Sequence, residues 1–561
     1  MKKLILASAL ILGSMALNAQ SFQLVSNINQ SPDNGGLNMN CSFREMSGRL
    51  YYLFADQSIG KTALYTSDGT SSGTFRVSPP DLDIVGNMIQ GGDKLYFFAS
   101  DGVNGKEPWV SDGTLAGTQL LYNTNATTDP FDFNTYGSKF LSADSSKAFF
   151  VSNDGTTGDE LWVTDGTPAG TTFVKDIYDG SQGSQINVAP SGMGNNMKDG
   201  KLYFFAVNGT GGFTVNGMEP WVSDGTPSGT FMLKDIQAGY NPSSQSSNTK
   251  HFVQFNNKMY FFAAGSEGKG LWETDGTELG TTLVYNTTIY RIDEFLVHNN
   301  TLYFTHSNGP ALYTSDGTTG GTTLLANIPD AQLNNVGTCQ MAIANNTLYL
   351  RVVSNSIGSE LFILDGSNQI VNVKDIQTGG NNGVTGNIFQ DRKVLQVYEN
   401  KVWFLGTDGS QSGALQVWQS DGTALGTIAL SPLNNDGGWA GGSGNNYNLF
   451  ATSFGVFMIY TNPTTGAELY FYNMVPTNQN ELPQEGVSLR VFPNPASDIL
   501  TILSNNTIIN KKVYNSAGQM IEEINGNSNQ LDISNYKEGV YFILLTTNEQ
   551  KTKSVKFIKS K

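Results

Sequence analysis

The stretch GDELWVTDGTPAGTTFV, at residues 158–174, contains the unit from which most of this chain is built. An aromatic residue at 162 precedes an Asp-Gly-Thr triplet at 165–167, and a Gly-Thr pair follows at 170–171. Asp-Gly pairs of this kind recur about every 50 residues, which predicts a repeat architecture. The aspartates are Asp68, Asp112, Asp165, Asp224, Asp275, Asp316, Asp365 and Asp421. A glycine stands five positions after each of them except Asp365, where Ile370 takes its place.

Each repeat contains the pattern of four short strands. A strand such as KLYFFAS (94–100) lies upstream of the aromatic residue, and a strand such as TTFVKDI (171–177) follows the Gly-Thr pair. A less regular strand, such as HFVQFNN (251–257), comes first. Four strands in each repeat of this length are typical of a β-propeller blade. The aromatic residues three positions before the aspartates are Tyr65, Trp109, Trp162, Trp221, Trp272, Tyr313, Phe362 and Trp418.

The two ends of the repeat region predict a closed ring. A ninth unit, at 455–473, lacks the Asp-Gly pair and has Tyr470 in the place of the aromatic residue. The segment SFQLVSNI (21–28) resembles the last strand that this unit lacks, so we expect it to complete the final blade. A solenoid would instead need capping repeats at both ends. The sequence therefore predicts an all-β chain with a propeller of eight or nine four-stranded blades at 20–474.

The corner motif is expected to be structural. Alternation in a strand turns successive residues of 161–164 to opposite faces, so Trp162 becomes a wedge between blades. Asp165 is expected to begin an Asx turn, with Gly166 and Gly170 at positive φ. Eight symmetric copies indicate architecture, because an active site needs asymmetry. The hydroxyl groups expected to bond at the corner are those of Thr167 and Thr171.

The N-terminal segment is typical of a secretory signal peptide. Lys2 and Lys3 precede an apolar run at 4–17, which is too short to span a membrane. We expect residues 1–19 to be removed by cleavage after Ala19. No other segment is long and apolar enough for a transmembrane span.

The charge of the chain excludes two classes of partner. Residues 20–487 carry 21 basic and 42 acidic side chains, a net charge of −21. A body this acidic is a poor binder of nucleic acid or of an anionic membrane. Residues 488–561 carry nine basic and six acidic side chains, so the two regions differ in sign.

The segment ASDGVNGKEPW (99–109) resembles the tryptophan-docking motif of quinoprotein dehydrogenases, which are eight-bladed propellers. In that family the motif ties adjacent blades together, and the resemblance implies only this role here. The adjacent cysteine pair common in the alcohol dehydrogenases of that family is absent. The matching residues are Asp101, Gly105, Lys106, Glu107 and Trp109, with a partial copy at Asp154, Gly158, Glu160 and Trp162.

After a polar linker at 475–487, residues 488–561 show the alternation and turns of a small immunoglobulin-like β-sandwich. This segment closely resembles the type A sorting domain of the type IX secretion system. The resemblance implies that the secretion machinery is a partner and that the protein is secreted or displayed at the outer-membrane cell surface. The residues that match the sorting motif are Pro493, Asn494, Pro495, Asp498, Gly518, Gly539, Tyr541 and Lys559. The repeats themselves resemble the ELWxSDGTxxGT repeats of surface proteins from bacteria with this system, which brings no settled activity.

Few residues point to catalysis or to a cofactor. His251, His298 and His306 have no metal-ligand spacing, and Cys41 and Cys339 are expected to be buried thiols rather than a disulfide. No catalytic residue or organic cofactor is predicted. The segment NDGTTGDE (153–160) offers several oxygens in one turn, so calcium is a candidate cofactor. Its candidate ligands are Asp154, Asp159 and Glu160.

Two functions fit these observations. The first is a non-enzymatic binding or adhesion protein for an extracellular glycan or protein, with aromatic loops such as that of Trp439 offering a face for a sugar. The second is a glycan-active hydrolase or lyase on the same scaffold. The second requires two carboxylates facing each other across the central mouth, about 5–10 Å apart.

Overall fold

The computed structural model describes residues 22–28, 42–125, 139–181, 183–186, 188, 196–210, 213–237, 252–287, 292–306, 311–328, 330–331, 339–385, 393–410, 415–430, 448–462, 466–472, 489–492, 496–504, 507–515, 519–548 and 552–560. All the regular structure in these ranges is β-strand. Within them no helix is long and apolar enough to cross a membrane. The chain divides into two compact units, Met1–Met474 and Val475–Lys561.

The first unit contains nine sheets among its described residues, eight of them wholly antiparallel, and we number them as blades in chain order. Blade 1 consists of Phe43–Met46, Arg49–Asp56, Lys61–Ser67 and Phe75–Arg76; blade 2 of Asp83–Gly91, Lys94–Ser100, Lys106–Ser111 and Gln119–Leu120; blade 3 of Lys139–Ala143, Ala148–Asn153, Asp159–Thr164 and Thr172–Lys175. Blade 4 consists of Met197–Lys198, Lys201–Thr210, Phe213–Ser223 and Phe231–Met232, with Tyr178–Asp179 added in parallel; blade 5 of Phe252–Phe255, Lys258–Gly265, Gly268–Thr274 and Thr282–Asn286. Blade 6 consists of Ile292–His298, Thr301–His306, Ala311–Ser315 and Thr323–Asn327; blade 7 of Cys339–Ala344, Thr347–Ser354, Gly358–Leu364 and Ile370–Lys374. Blade 8 consists of Gln396–Tyr398, Lys401–Gly406, Gln416–Ser420 and Ile428–Leu430; blade 9 of Asn448–Thr452, Gly455–Asn462, Gly466–Tyr472 and the N-terminal strand Gln23–Ser26.

Buried side chains join these sheets into a closed ring. Each blade shares one cluster of buried hydrophobic residues with the next, and a ninth cluster joins blade 9 to blade 1. In that last cluster Phe471 of blade 9 packs with Tyr52 of blade 1. The first strands of six neighbouring pairs of blades contact each other, which places these strands on the inside of the ring. The predicted propeller is therefore confirmed, with nine blades in the described chain.

The N-terminal strand closes the ring as predicted. It pairs antiparallel with the third strand of blade 9, with Leu24 opposite Tyr470. The ring centroid of Phe22 lies 5.3 Å from that of Tyr472, and the backbone N–H of Ile28 donates to the Glu468 carboxylate at 2.9 Å. Residues more than 400 positions apart thus complete one blade.

The propeller has two ends of different character. Because neighbouring strands are antiparallel, the turns between third and fourth strands lie at one end, which we call the corner end. The segments that cross from a fourth strand to the next blade start at the opposite end, the crossover end. Seven of the corners hold seven residues each between their strands, as 165–171 does, and that of blade 7 holds five. The crossings vary from five residues, at 287–291, to 21, at 375–395.

The second unit is a small two-sheet structure. One sheet contains Leu489–Phe492, Ile499–Ser504 and Gln530–Asp532, and the other contains Met520–Asn525, Ile508–Asn515, Gly539–Thr547 and Thr552–Lys559. A buried cluster that includes Leu500 of the first sheet and Ile543 of the second forms its core.

Candidate functional site

The Asp-Gly-Thr corner is closed by its own side chains. One carboxylate oxygen of Asp165 accepts hydrogen bonds from the backbone N–H and the hydroxyl of Thr167, at 2.8 and 2.7 Å. The hydroxyls of Thr164 and Thr171 lie 2.7 Å apart, and the backbone N–H of Gly166 donates to Thr164 at 3.0 Å. The hydrogen bonds from Thr167 lower the pKa of Asp165, and the bond from its hydroxyl is the largest cause. The predicted Asx turn is therefore confirmed.

The two corner glycines are needed for different reasons. Gly166 has φ of +85°, as predicted. The prediction of positive φ for Gly170 was wrong, because it is not among the positive-φ residues of the described chain. A Cβ atom at Gly170 would instead overlap the carboxylate of Asp165, and the same holds for the matching glycine in six other corners. In blade 7, where Ile370 replaces the glycine, the corner is two residues shorter and turns through Asn368 at φ +57°.

The aromatic residue before the corner is a wedge between blades. Trp162 packs in one cluster with Tyr96 and Phe98 of blade 2 and with Phe140 and Phe150 of its own blade. Its indole N–H donates to the Ser152 carbonyl at 3.2 Å. The neighbouring Leu161 lies in the cluster shared with blade 4, so the predicted alternation is confirmed.

A buried glutamate near the crossover end holds the start of each of several crossings. The carboxylate of Glu160 accepts the backbone N–H of Ile177 at 3.1 Å, that of Tyr178 at 3.0 Å and the hydroxyl of Ser184 at 2.7 Å. We call this arrangement the glutamate clamp. The glutamate stands two positions before the wedge aromatic residue. The tryptophan-docking resemblance includes Glu107 and Glu160, whereas the copies in other blades were missed, although the same spacing marks them in the sequence. Its five copies are Glu107, Glu160, Glu219, Glu360 and Glu468, each accepting backbone N–H groups at the start of a crossing or, for Glu468, after the N-terminal strand.

Burial governs the acidity of the clamps. It raises the pKa of Glu160 to about 8 and those of Glu219 and Glu360 to about 7, although the N–H bonds act in the opposite direction. A neighbouring aspartate raises each of the three further. The residue just before the first clamped N–H group carries a side-chain oxygen that, in four blades, is buried and has no hydrogen-bond partner among the described residues. The four residues are Asn123, Asp176, Asp235 and Asp375.

The three calcium candidates lie on one hairpin, where the carboxylates of Asp154 and Glu160 and the backbone carbonyl of Asp159 accept hydrogen bonds from the protein. One carboxylate oxygen of Asp154 accepts the backbone N–H groups and hydroxyls of Thr156 and Thr157. The backbone carbonyl of Asp159 accepts the N–H of Ser184 at 3.1 Å, and Glu160 forms a clamp. Among the described residues no group of three or more His, Cys, Asp or Glu side chains is arranged to hold a metal ion.

The segment that resembles a tryptophan-docking motif ties blade 2 to blade 3. Glu107 accepts the backbone N–H and the hydroxyl of Thr124 at 2.8 and 2.6 Å, and the same hydroxyl lies 2.8 Å from the hydroxyl of Ser152. Asp101 accepts the backbone N–H groups of Val103 and Asn104 and so closes the hairpin tip.

The remaining candidates show no shared site. His298 lies 2.8 Å from the side-chain oxygen of Asn346, and His306 ends the second strand of blade 6. Cys339 is buried at the start of blade 7. His251, Cys41 and Trp439 lie outside the described residues.

The described sorting-motif residues stabilise the second unit. The Asp498 carbonyl accepts the N–H of Ile533 at 2.7 Å, and the Tyr541 hydroxyl donates to the Lys537 carbonyl at 2.8 Å. Lys559 is buried and pairs with Gly539 across the last two strands. Pro493, Asn494, Pro495 and Gly518 lie outside the described residues.

Comparison with known proteins identifies the second unit. Residues 490–560 match the family described as "Secretion system C-terminal sorting domain". The chain therefore carries a sorting tail of the type IX secretion system, and it is a secreted or cell-surface protein. A search of curated protein sequences finds no match.

Solved structures resemble the chain only distantly. PorZ, a surface component of the type IX secretion system of Porphyromonas gingivalis, is 12% identical, with a TM-score of 0.25 and coverage of 92% of this chain and 81% of PorZ. A puromycin hydrolase is 11% identical, with a TM-score of 0.32, and the match covers 70% of this chain but only 61% of the hydrolase. The designed protein Ika8 is 13% identical, with a TM-score of 0.29 and coverage of 66% and 98%. These likenesses carry no argument about function.

Proposed function

We propose that the propeller is a non-enzymatic binding or adhesion domain at the cell surface, and that its ligand is an extracellular glycan or protein. The observation that carries this proposal is the difference between the two ends. Corners of seven residues, or five in blade 7, form one end, whereas crossings of five to 21 residues start at the other. Segments that vary in this way on a rigid scaffold are where proteins place binding residues. The crossover end is therefore the proposed binding face.

The clamp glutamates are not available as catalytic acids. A glycan hydrolase needs two carboxyl groups that reach the substrate on either side of the bond to be cleaved. The five clamp glutamates are buried, and their carboxylates accept hydrogen bonds from the protein itself. These acids hold the scaffold in place. Hydrolase or lyase activity remains the alternative, and it would have to use other carboxylates.

The proposal is tested by applying purified residues 20–561 to a glycan array, once in the presence of calcium and once in the presence of EDTA. Binding to a related set of glycans without release of reducing sugar is the expected result. Loss of that binding in EDTA would assign a role to calcium. Release of reducing sugar would replace the proposal with the enzymatic alternative, and silence in both conditions would leave a protein ligand as the target of the search.

A further inference from the structure

At the end of the fourth strand, a side chain covers the wedge aromatic residue of the next blade. In blades 4 and 7 this cover is a lysine: the Lys234 and Lys374 ammonium groups lie 5.5 Å from the ring centroids of Trp272 and Trp418. A cation over an aromatic face is a favourable contact, and it keeps the surface of the seam polar. Blade 2 departs from this pattern, since its cover is Tyr122, whose ring centroid lies 5.7 Å from that of Trp162.

A second exposed aromatic ring packs against the same indole. Phe173, opposite Trp162 in the fourth strand of blade 3, has its ring centroid 5.5 Å from the indole. Tyr122 is 44% exposed and Phe173 36% exposed, whereas Trp162 is only 5% exposed. The seam between blades 2 and 3 thus presents two rings to solvent, supported from below by a buried third ring.

The surroundings of these rings are polar. Beside Tyr122 the side-chain amide of Asn123 donates to Asn104 at 3.1 Å. Tyr122 also lies two residues before Thr124, where the clamp of Glu107 begins the crossing to blade 3. Tyr122 therefore lies beside the start of a crossing, whereas Phe173 lies two residues beyond the corner at 165–171, and both belong to a propeller region whose net charge is −21. Such a body repels anionic ligands and leaves neutral ones unaffected.

We propose that Tyr122 and Phe173 form a stacking site for a neutral sugar ring of an extracellular glycan. Aromatic rings of this kind can contact the apolar C–H face of a pyranose. The site rests on the proposed function, because it names the ligand class and the residues that bind it.

The seam between blades 5 and 6 provides a matched control. Its cover is also a tyrosine, Tyr285, 6.1 Å from the wedge residue Tyr313. Opposite Tyr313, however, the fourth strand of blade 6 carries Leu324 rather than a phenylalanine. This seam therefore has the same cover without the second aromatic ring.

The test compares three variants of residues 20–561 with the unmodified chain on the same glycan array. Tyr122→Lys introduces the cover residue that blades 4 and 7 use, Phe173→Leu makes the seam resemble that of blades 5 and 6, and Tyr285→Lys is the control. We expect Tyr122→Lys and Phe173→Leu each to weaken binding of neutral glycans about tenfold, the equivalent of about 1.4 kcal/mol. Tyr285→Lys should bind like the unmodified chain, and melting temperatures should confirm that all three fold.

The outcomes separate this site from the function on which it rests. Binding that survives both Tyr122→Lys and Phe173→Leu would overturn the stacking site and leave the binding function intact. Silence of the unmodified chain on the array would overturn both glycan binding and the site. Binding restricted to acidic glycans would also overturn the site, since it would show that charge selects the ligand. If Tyr122→Lys does not fold, Phe173→Leu alone decides.

Discussion

Asp165 and Glu160 lie five residues apart in blade 3, and both carboxyl groups accept backbone N–H groups, yet their pKa values move in opposite directions. Asp165 is exposed at the corner end and has a lowered pKa. Glu160 is buried near the crossover end, and burial raises its pKa to about 8. Asp165 bonds to a residue two positions away, whereas the partners of Glu160 are 17, 18 and 24 positions away.

This difference explains why the two ends of the propeller diverge. A corner closed by its own neighbours is complete within seven residues, so the same sequence can serve in blade after blade. A crossing must be held from a distance by a buried acid, and beyond that clamp its length is free to change. The corner end therefore repeats, and the crossover end varies.

Removing each carboxylate should give the largest contrast. Glu160→Ala leaves two buried N–H groups and the Ser184 hydroxyl without an acceptor, which should lower the free energy of unfolding by about 3 kcal/mol or more. Asp165→Ala exposes its donors to water and should cost about 1 kcal/mol. Urea denaturation of residues 20–561 measures both. Equal losses would contradict the distinction between a local corner and a distant clamp.

The pH dependence of stability should show a smaller effect of the same clamp. Because the pKa of Glu160 is raised on folding, the folded state binds its proton more tightly, and stability falls as pH rises from about 5 towards 8. Glu160→Gln cannot titrate at this position, so its free energy of unfolding should fall less steeply with pH. Between pH 5 and 7 the unmodified chain should lose about 2 kcal/mol more than the variant. Denaturation midpoints at several pH values measure the slopes. Parallel curves for the two proteins would show that Glu160 does not titrate in this range.

The smallest expected effect distinguishes two adjacent glycines in the corner of blade 6. A Cβ at Gly321 would overlap the Asp316 carboxylate, whereas one at Gly320 would meet nothing within 4 Å. Gly321→Ala should therefore cost about 1 kcal/mol through overpacking, and Gly320→Ala should be neutral or slightly stabilising. Thermal melting of the two variants gives the comparison. A neutral Gly321→Ala would mean that the corner relaxes around the new methyl group.

Much of the propeller could be predicted because its information is local and repeated. Strand alternation around Trp162 and the bonding of Asp165 follow from residues within one repeat, and eight copies of the Asp-Gly pair make the spacing unmistakable. The closing strand was predictable because the ninth unit lacks one strand and 21–28 supplies it. The prediction of positive φ at Gly170 was wrong because two different needs lead to glycine: positive φ, and room for a side chain that approaches the backbone closely.

The sequence by itself determined the repeat, the ring closure and the sorting tail, since each depends on short patterns that local geometry or a family resemblance makes specific. Only the tertiary structure showed that Glu160 clamps the crossing at Ile177, because the two are brought together by the packing of a whole blade. It also showed that Tyr122 and Phe173 share one indole, although they belong to different blades. Contacts between blades depend on how each sheet packs against the next, and no spacing along the chain specifies which side chains remain exposed at that seam.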